Sequence, residues 1–252
     1  MKKSKTPKAT LIAKGSLQNF LHRSRNNEEY TSVDLVFELH PAVKDLIESQ
    51  GIPHTAIFKL TVNGQENSLD YNVQKGDQIA VYPFERVDKS NIDLIFSEPT
   101  SFIVDIHLGK LLKTLRLLGF DAASNESWDD MDIIRKSNEE HRMILTRDVE
   151  LLKNGDTRFG YWVRAQDPDQ QIQELFHRFS LANHLDPFSR CMKCNGLLEE
   201  VPLSKVNDQV PPKVKKWHSQ FFQCQNCKQV YWKGSHYEKL QQKVDALKKI
   251  SS

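Results

Sequence analysis

Hydrophobic side chains recur at alternate positions in four segments of the first third of the chain, which predicts four β-strands. Between the second and third of these segments, "PAVKDLIESQG" (41–51) has a proline near its start and a glycine at its end, as expected for a short helix. The predicted order is therefore strand, strand, helix, strand, strand. The strand segments are "TLIAKGSL" (10–17), "TSVDLVFEL" (31–39), "IFKLTVNG" (57–64) and "KGDQIAVYPF" (75–84).

This order of elements favours a ubiquitin-like β-grasp domain over residues 10–84. The segment is similar to the small sulfur-carrier proteins, whose chemistry needs a free Gly-Gly C-terminus. Here the last strand continues into "PFERVDKS", so carrier chemistry is not expected. We interpret the domain as a docking module for an unknown protein partner, preceded by a flexible tail (1–9) and followed by a polar linker (85–100).

The next part, residues 101–187, alternates strand-like and helix-like segments, which predicts an α/β fold with a parallel sheet covered by helices on both faces. Residues 108–120 illustrate the helical pattern, because their apolar side chains recur at spacings of three, four and seven. The predicted strands are "SFIVD" (101–105), "RMILTRD" (142–148) and "FGYWVRA" (159–165). The predicted helices are "LGKLLKTLRLLGF" (108–120), "DDMDIIRKSNEEH" (129–141) and "DPDQQIQELFHRFS" (167–180).

Two of these apolar strands end in a carboxylate, Asp105 in "SFIVD" and Asp148 in "RMILTRD". Ligands of parallel sheets lie at the carboxyl ends of the strands, so both acids are expected on one edge, where an acid from "DDMD" would join them. Clustered carboxylates are tolerated when a divalent cation neutralises them, and oxygen ligands suit Mg²⁺ or Mn²⁺. The alternative is that these acids cap helices, with Asp148 capping "VELL".

All four cysteines fall in two C-x2-C pairs separated by 29 residues. Two such pairs supply the four thiolates of a closed structural zinc site, and Gly196 allows the tight turn after the first pair. Two disulfides or a redox pair are the rival interpretations; a chain without a signal peptide, expected in the cytoplasm, disfavours disulfides. The zinc ligands are predicted to be Cys191, Cys194, Cys224 and Cys227.

Charge is distributed unevenly along the chain, although the net charge is only +2. Residues 190–252 contain 12 Lys and Arg against 5 Asp and Glu, a net of +7, whereas residues 99–189 carry −4. The basic C-terminal region favours binding of a polyanion such as RNA, and the acidic middle region favours binding of a divalent metal. No apolar run is long enough to span a membrane, so no membrane partner is expected.

Aromatic and basic side chains follow the second cysteine pair in "KQVYWKGSHYEKL". Trp232 and Tyr231 are suited to stack on bases, while Lys233 is suited to hold phosphate. Two roles stay open for His236, which are to hold phosphate or to reach the acidic site. The alternative is that Tyr231 and Trp232 pack the small core of the ribbon.

Several of these segments together resemble the Mut-seven-C RNase domain family, named after the C-terminal part of an RNA-silencing exonuclease. The resemblance implies a PIN-type nuclease fold (101–187), a zinc ribbon (188–240) and a basic C-terminal tail (241–252). In bacteria this domain often follows a ubiquitin-like domain, as predicted here. The matching segments are "FIVDIHLGKLLKTLRLLGFD", "RMILTRDVELL", "DPDQQIQEL", "FSRCMKCNGLLEEV" and "FFQCQNCKQVYWKGSHYEKL".

PIN nucleases use three or four acids around one or two divalent ions, and the resemblance assigns these roles to residues of this chain. The implied Mg²⁺ or Mn²⁺ ligands and catalytic acids are Asp105, Asp130 and Asp148, with Asp129 and Asp132 as near substitutes for Asp130. Thr146 is expected to orient the site and Glu150 to be the fourth acid. Lys110, Arg116 and Arg147 are expected to hold phosphates, with a carboxylate-bracing role as the alternative for Arg116.

These inferences predict a metal-dependent ribonuclease whose zinc ribbon helps to bind RNA. The alternative is a non-catalytic module that binds structured RNA, such as tRNA or the ribosome.

Overall fold

The computed structural model describes residues 8–21, 25–26, 29–83, 98–179 and 181–248. Most of the predicted N-terminal tail and linker, and the last four residues, lie outside these ranges. The chain divides into two compact units, one formed by Met1–Ile92 with Arg147–Trp162 and the other by Asp93–Thr146 with Val163–Ser252.

The strands and helices of the described residues follow in chain order. The strands are β1 (Lys8–Lys14), β2 (Arg25–Asn26), β3 (Tyr30–Val36), β4 (Ile57–Val62), β5 (Gln65–Glu66), β6 (Gln78–Pro83), β7 (Ser101–Val104), β8 (Asp121–Ala123), β9 (Met143–Thr146), β10 (Gly160–Trp162), β11 (Leu198–Val201), β12 (Phe221–Cys224) and β13 (Val230–Trp232). The α-helices are α1 (Val43–Ser49), α2 (Gly109–Leu117), α3 (Asp130–Glu140), α4 (Val149–Lys153), α5 (Pro168–Arg178), α6 (Leu203–Val206), α7 (Pro212–Trp217) and α8 (Ser235–Lys248). Short 3-10 helices cover Gly15–Phe20, His54–Ala56, Ile106–Leu108, Leu181–His184 and Asn207–Gln209.

The first unit contains a mixed sheet with strand order β2-β3-β1-β6-β4-β5. Strand β1 is antiparallel to β3 and parallel to β6, and β6 is antiparallel to β4. Alternate residues of β1 are buried, Leu11 among them, and they share one core with Val43 and Ile47 of α1. This is the ubiquitin-like arrangement predicted from the alternation of apolar residues.

Residues 147–162, which carry α4 and β10, pack with this first unit rather than standing apart from it. Val149 and Trp162 pack against the core of the ubiquitin-like domain, and the Trp162 ring lies 4.4 Å from the ring of Phe20. The His54 ring, which also contacts Glu48 at 2.6 Å, meets the carbonyl of Thr157 at 2.9 Å. The ubiquitin-like domain therefore supports the segment that contains the predicted catalytic acids of "TRDVE".

The second unit contains a parallel sheet in which β7 lies between β8 and β9. Phe102 of β7 is fully buried and contacts Phe120 edge to face at 5.8 Å between ring centroids. Three predicted helices are present as α2, α3 and α5, and Asp129 and Asp167 cap the last two with their side chains. The predicted α/β fold with a parallel sheet is confirmed.

The second unit ends in a three-stranded antiparallel sheet, β11-β12-β13, that carries the two cysteine pairs. The chain between the pairs contains the short helices α6 and α7. Helix α8 extends to Lys248, so it includes most of the predicted basic tail. No helix in the described ranges combines the length and the apolar character needed to cross a membrane.

Candidate functional site

Asp105 follows β7 directly, and the structure holds its carboxylate with two hydrogen bonds. The backbone N–H of His107 donates to one oxygen at 2.9 Å, and the Thr146 hydroxyl donates to the other at 2.7 Å. Thr146 itself is fully buried at the end of β9. Because β7 and β9 run parallel and finish at the same edge, Thr146 lies beside Asp105. The acid and its hydroxyl partner are thus oriented by two core strands, in the position where parallel sheets bind ligands.

The three acids at the start of α3 have different surroundings. Asp129 accepts from the backbone N–H of Asp132 at 2.8 Å and so caps the helix, while Asp132 pairs with Arg135 at 2.9 Å. Asp130 lies exposed in the first turn, and its carboxylate makes no hydrogen bond or ion pair with the other residues that the structure describes. Of the three, Asp130 is the acid whose oxygens are least committed to protein partners.

Asp148 and Glu150 belong to the first unit, in the segment that packs on the ubiquitin-like domain. The Asp148 carboxylate caps α4 by accepting from the N–H groups of Glu150 at 2.8 Å and Leu151 at 3.4 Å. Glu150 is exposed and pairs with Lys153 at 2.8 Å. The capping interpretation of Asp148 is therefore what the structure shows, and metal binding by Asp148 and Glu150 stays a prediction.

The four cysteines come together in the second unit, with all four sulfur atoms within 4.8 Å of one another. Cys191 lies 3.6 Å from Cys227, and Cys194 lies 3.4 Å from Cys224. Four thiolates around one tetrahedral zinc ion at about 2.3 Å would be about 3.8 Å apart, so the set fits a metal such as zinc. Within the part of the chain that the structure describes, no other group of three or more Cys, His, Asp or Glu in the second unit meets the same distance limit.

The chemistry of the thiols also fits a cation. Burial opposes ionisation of Cys194, but hydrogen bonds from the Gly196 backbone and from the neighbouring cysteines lower its pKa to about 7. Burial and the proximity of the other cysteines raise the pKa of Cys227 to about 12. A divalent ion would favour the thiolate form of all four groups and would leave no open coordination position.

Several neighbours fix the shape of the cysteine cluster. The Tyr231 hydroxyl lies 3.2 Å from the sulfur of Cys191. A Cβ at Gly196 would lie 2.9 Å from the sulfur of Cys224, so a larger residue there would displace a ligand. The glycine predicted for a tight turn is thus also required by the space beside the thiol.

Arg116 was predicted to hold phosphate or to brace a carboxylate, but in the structure its side chain is buried among backbone carbonyls. Its side chain is 5% exposed and donates to the carbonyls of Ala122 at 2.8 Å, Met192 at 3.2 Å and Lys193 at 2.9 Å. Burial lowers the pKa of Arg116, although the nearby Cys194 and other anionic groups oppose this. Because its donors serve backbone carbonyls of the first cysteine pair, Arg116 joins the ribbon to the parallel sheet, and its geometry does not favour a phosphate contact.

A second connection between ribbon and sheet was not found from the sequence. Asp121 of β8 accepts from Arg142 at 2.7 Å and from the Asn195 amide at 2.7 Å, and Arg190 lies 3.6 Å away. Burial would raise the pKa of Asp121, but the hydrogen bonds from Arg142 and Asn195 outweigh it and lower the pKa. The only sequence signal was an acid after "LLGF", which does not distinguish this role from a surface aspartate.

The remaining predicted substrate-binding residues lie on the surface or in the ribbon. Lys110, Arg147 and Lys233 are exposed, whereas Trp232 is half-buried and packs against the ribbon core. This packing agrees with the structural alternative for Trp232. The side chain of His236 lies outside the described residues.

A groove of about 740 Å³ runs between the start of α2 and the ribbon. Ile106, the residue after Asp105, lines the groove together with Lys113, Lys193, Glu126 and Tyr231. The groove thus brings Lys113 and Lys193, together with the Glu126 carboxylate, into one surface with the residue that follows Asp105.

Comparison with known proteins gives two matches, both with family models. A model described as Mut7-C RNAse domain matches residues 100–244, and one described as Mut7-C ubiquitin matches residues 6–88. No curated protein and no solved structure matches the chain. The two matches confirm the family resemblance and the fused architecture predicted from the sequence.

Proposed function

Because the chain belongs to the Mut7-C RNAse domain family, we propose that it is a metal-dependent ribonuclease that hydrolyses RNA phosphodiester bonds. The family match supports a nuclease-like role. The geometric observation that carries the proposal is the Asp105 carboxylate, which is held by the buried Thr146 hydroxyl at the carboxyl edge of a parallel sheet. A carboxylate oriented in this way is suited to bind a hard cation and a substrate beside it.

We assign the divalent ion to Asp105 and Asp130, with Asp148 as a further ligand by family resemblance and Glu150 as the fourth acid. Mg²⁺ or Mn²⁺ bound there would activate water and stabilise the leaving oxygen. Thr146 contributes by fixing which oxygen of Asp105 faces the cation. Lys110 and Arg147 hold substrate phosphates.

The zinc ribbon and the ubiquitin-like domain have supporting roles in this proposal. The ribbon, which is part of a basic region of net charge +7, holds RNA through Lys233, His236 and the aromatic residues around Trp232. Structured RNA such as tRNA is one substrate class compatible with this surface. The ubiquitin-like domain recruits a protein partner.

The test compares cleavage of labelled RNA by the wild-type protein with cleavage by Asp105→Asn and Asp148→Asn. Each change should lower the cleavage rate by about a hundredfold or more, since metal ions supply several kcal/mol of transition-state stabilisation. Glu139→Gln is the matched control, because it removes one exposed charge at the far end of α3. Cleavage at the wild-type rate in both aspartate variants would refute the proposed site.

A second candidate function is non-catalytic binding of structured RNA. It is favoured by the observation that Asp148 and Asp129 both serve as helix caps. Under this alternative the protein retains RNA in the same assay and releases no products with Mn²⁺ or Mg²⁺.

A further inference from the structure

The second unit contains a cavity of about 350 Å³ between the ribbon sheet and helix α8. Its volume falls in the range of small-molecule pockets, about 300–1,000 Å³. Five aromatic side chains contribute to its wall. They are Phe188, Phe222, Tyr231, Trp232 and Tyr237.

We propose that this cavity binds one unpaired base of an RNA strand; the inference rests on the proposed ribonuclease function and names its substrate class as RNA with an accessible single-stranded base. Aromatic faces stack on any nucleobase, and this stacking is a main source of affinity in single-strand binding. Five aromatic side chains line the cavity, and the exposed Lys233, which also lines it, is suited to meet the adjoining phosphate.

One aromatic pair in the wall is held in a fixed arrangement. The rings of Phe188 and Tyr237 are 4.5 Å apart, and the Lys233 ammonium lies 5.7 Å from the Tyr237 ring. Phe188 has a φ of 65°, a left-handed conformation that is costly for a bulky residue. Its backbone N–H donates to the carbonyl of Leu117 at 2.9 Å, so the strain is maintained by a hydrogen bond to the end of α2. Strained residues of this kind are concentrated at ligand-binding positions.

The charges around the cavity favour RNA over an apolar peptide as its occupant. Residues 190–252 carry 12 Lys and Arg against 5 Asp and Glu, and none of the described residues that line the cavity is acidic. Arg190 also lines the cavity, but it donates to the carbonyls of Gly119 and Asn195 and lies 3.6 Å from Asp121. Among the described lining residues, Lys233 is therefore the cation best placed to meet a phosphate. A neutral peptide would gain nothing from this charge, whereas a polyanion would.

The position of the cavity connects it with the proposed catalytic edge. Met192 and Tyr231 line both the cavity and the groove, and Ile106, the residue after Asp105, also lines the groove. A strand with one base in the cavity would therefore continue into the groove, where Lys193 and Lys113 supply cations and Glu126 supplies one opposing carboxylate. In this arrangement the cavity anchors the RNA and the groove leads it toward the candidate metal site.

The experiment measures binding of a fluorescently labelled single-stranded 12-mer RNA to the zinc-loaded protein, without added Mg²⁺ or Mn²⁺. Leu240→Trp fills the cavity from α8, and Ala246→Trp places the same side chain on an exposed position of that helix as the matched control. Leu240→Trp should raise the Kd about tenfold, the effect of losing one stacked base, while Ala246→Trp should not change it. In a second pair, Lys233→Gln should weaken binding more than the equally charged change Lys239→Gln.

The substrate class is tested with two further RNAs under the same conditions. A blunt duplex of the same length should bind Leu240→Trp and the wild-type protein equally, because it offers no unpaired base. A 12-mer with abasic sites should bind Leu240→Trp and the wild-type protein with the same Kd, because it has no base to place in the cavity. Equal affinity of Leu240→Trp and wild type for the single strand, with circular dichroism and zinc content unchanged, would overturn the proposal. Because this experiment measures binding and not cleavage, it tests the cavity independently of the proposed nuclease activity.

Discussion

The role of Arg116 gives a prediction that separates two interpretations of one residue. If Arg116 joins the ribbon to the sheet, Arg116→Met should destabilise the second unit, because methionine keeps an apolar stem but removes the guanidinium group. Three carbonyls, those of Ala122, Met192 and Lys193, then lose a charged donor. Zinc binding should also weaken, since two of these carbonyls lie between the first two cysteines.

The magnitude follows from the three hydrogen bonds. Bonds to a charged group contribute about 1.5–3 kcal/mol each, and water that enters at the carbonyls recovers part of the loss. The net loss should be about 3–5 kcal/mol, as for other buried polar networks. Since 1 kcal/mol shifts the melting temperature of a domain of this size by about 2–4 °C, the Tm should fall by about 6–20 °C.

The assay combines thermal unfolding of the zinc-loaded protein with a zinc-chelator competition. Arg116→Lys is the control, because lysine keeps the charge but not the planar fork, and it should lose most of the same stability. If Arg116 instead bound phosphate, Arg116→Met would leave the Tm unchanged and reduce the salt dependence of RNA binding by about one charge. That outcome would refute the structural role.

Three further perturbations test the same unit. Gly119→Ala should cost at least about 2 kcal/mol in urea unfolding, because its Cβ would lie 2.2 Å from the Asp186 carbonyl oxygen and its φ is 94°; a stability equal to wild type would contradict the packing. Removal of metal from the four cysteines by a chelator should lower the Tm and the circular dichroism signal of the ribbon, and an unchanged melting curve would show that the metal has no structural role. Burial would raise the pKa of Asp121, but hydrogen bonds from Arg142 and Asn195 outweigh it and lower the pKa in the folded protein. The ionised Asp121 therefore adds to the free energy of unfolding above about pH 4, and this stabilisation is lost as the pH falls through the lowered pKa of the folded state. Between about pH 6 and pH 3, the free energy of unfolding in urea should therefore fall less for Asp121→Asn than for the wild-type protein. An equal fall in both proteins would contradict the stabilising role of the Asp121 carboxylate.

Local patterns in the sequence predicted the elements that depend on local physics. The alternation in β1 and the helical spacing in α2 both appear as buried faces, because one hydrophobic face is enough to set the register of a strand or helix. The helix caps at Asp148 and Asp167 could also be predicted from the sequence, because an acid before an apolar helix satisfies the first backbone N–H groups. The two cysteine pairs predicted their own cluster because C-x2-C spacing fixes the thiols locally.

Long-range contacts were beyond such reasoning. Arg116 reaches carbonyls 76 and 77 residues away, and no local pattern distinguishes it from a surface arginine. The packing of residues 147–162 with the ubiquitin-like domain depends on His54 and Trp162, whose partners lie in distant parts of the chain. The wall of the aromatic cavity likewise comes from five separate stretches of the second unit, so only the three-dimensional fold assembles it.

Cleavage of RNA by a carboxylate-bound metal is the proposed activity of the chain. The most direct measurement incubates zinc-loaded protein with end-labelled single-stranded RNA, with Mn²⁺ added or withheld, and resolves the products by length. We expect cleavage that needs the added Mn²⁺ and disappears in Asp105→Asn. Cleavage should slow in Thr146→Val, which keeps the size of the side chain but removes the hydroxyl bonded to Asp105. RNA that is bound but stays intact at every Mn²⁺ concentration, or cleavage that persists in Asp105→Asn, would contradict the proposed activity.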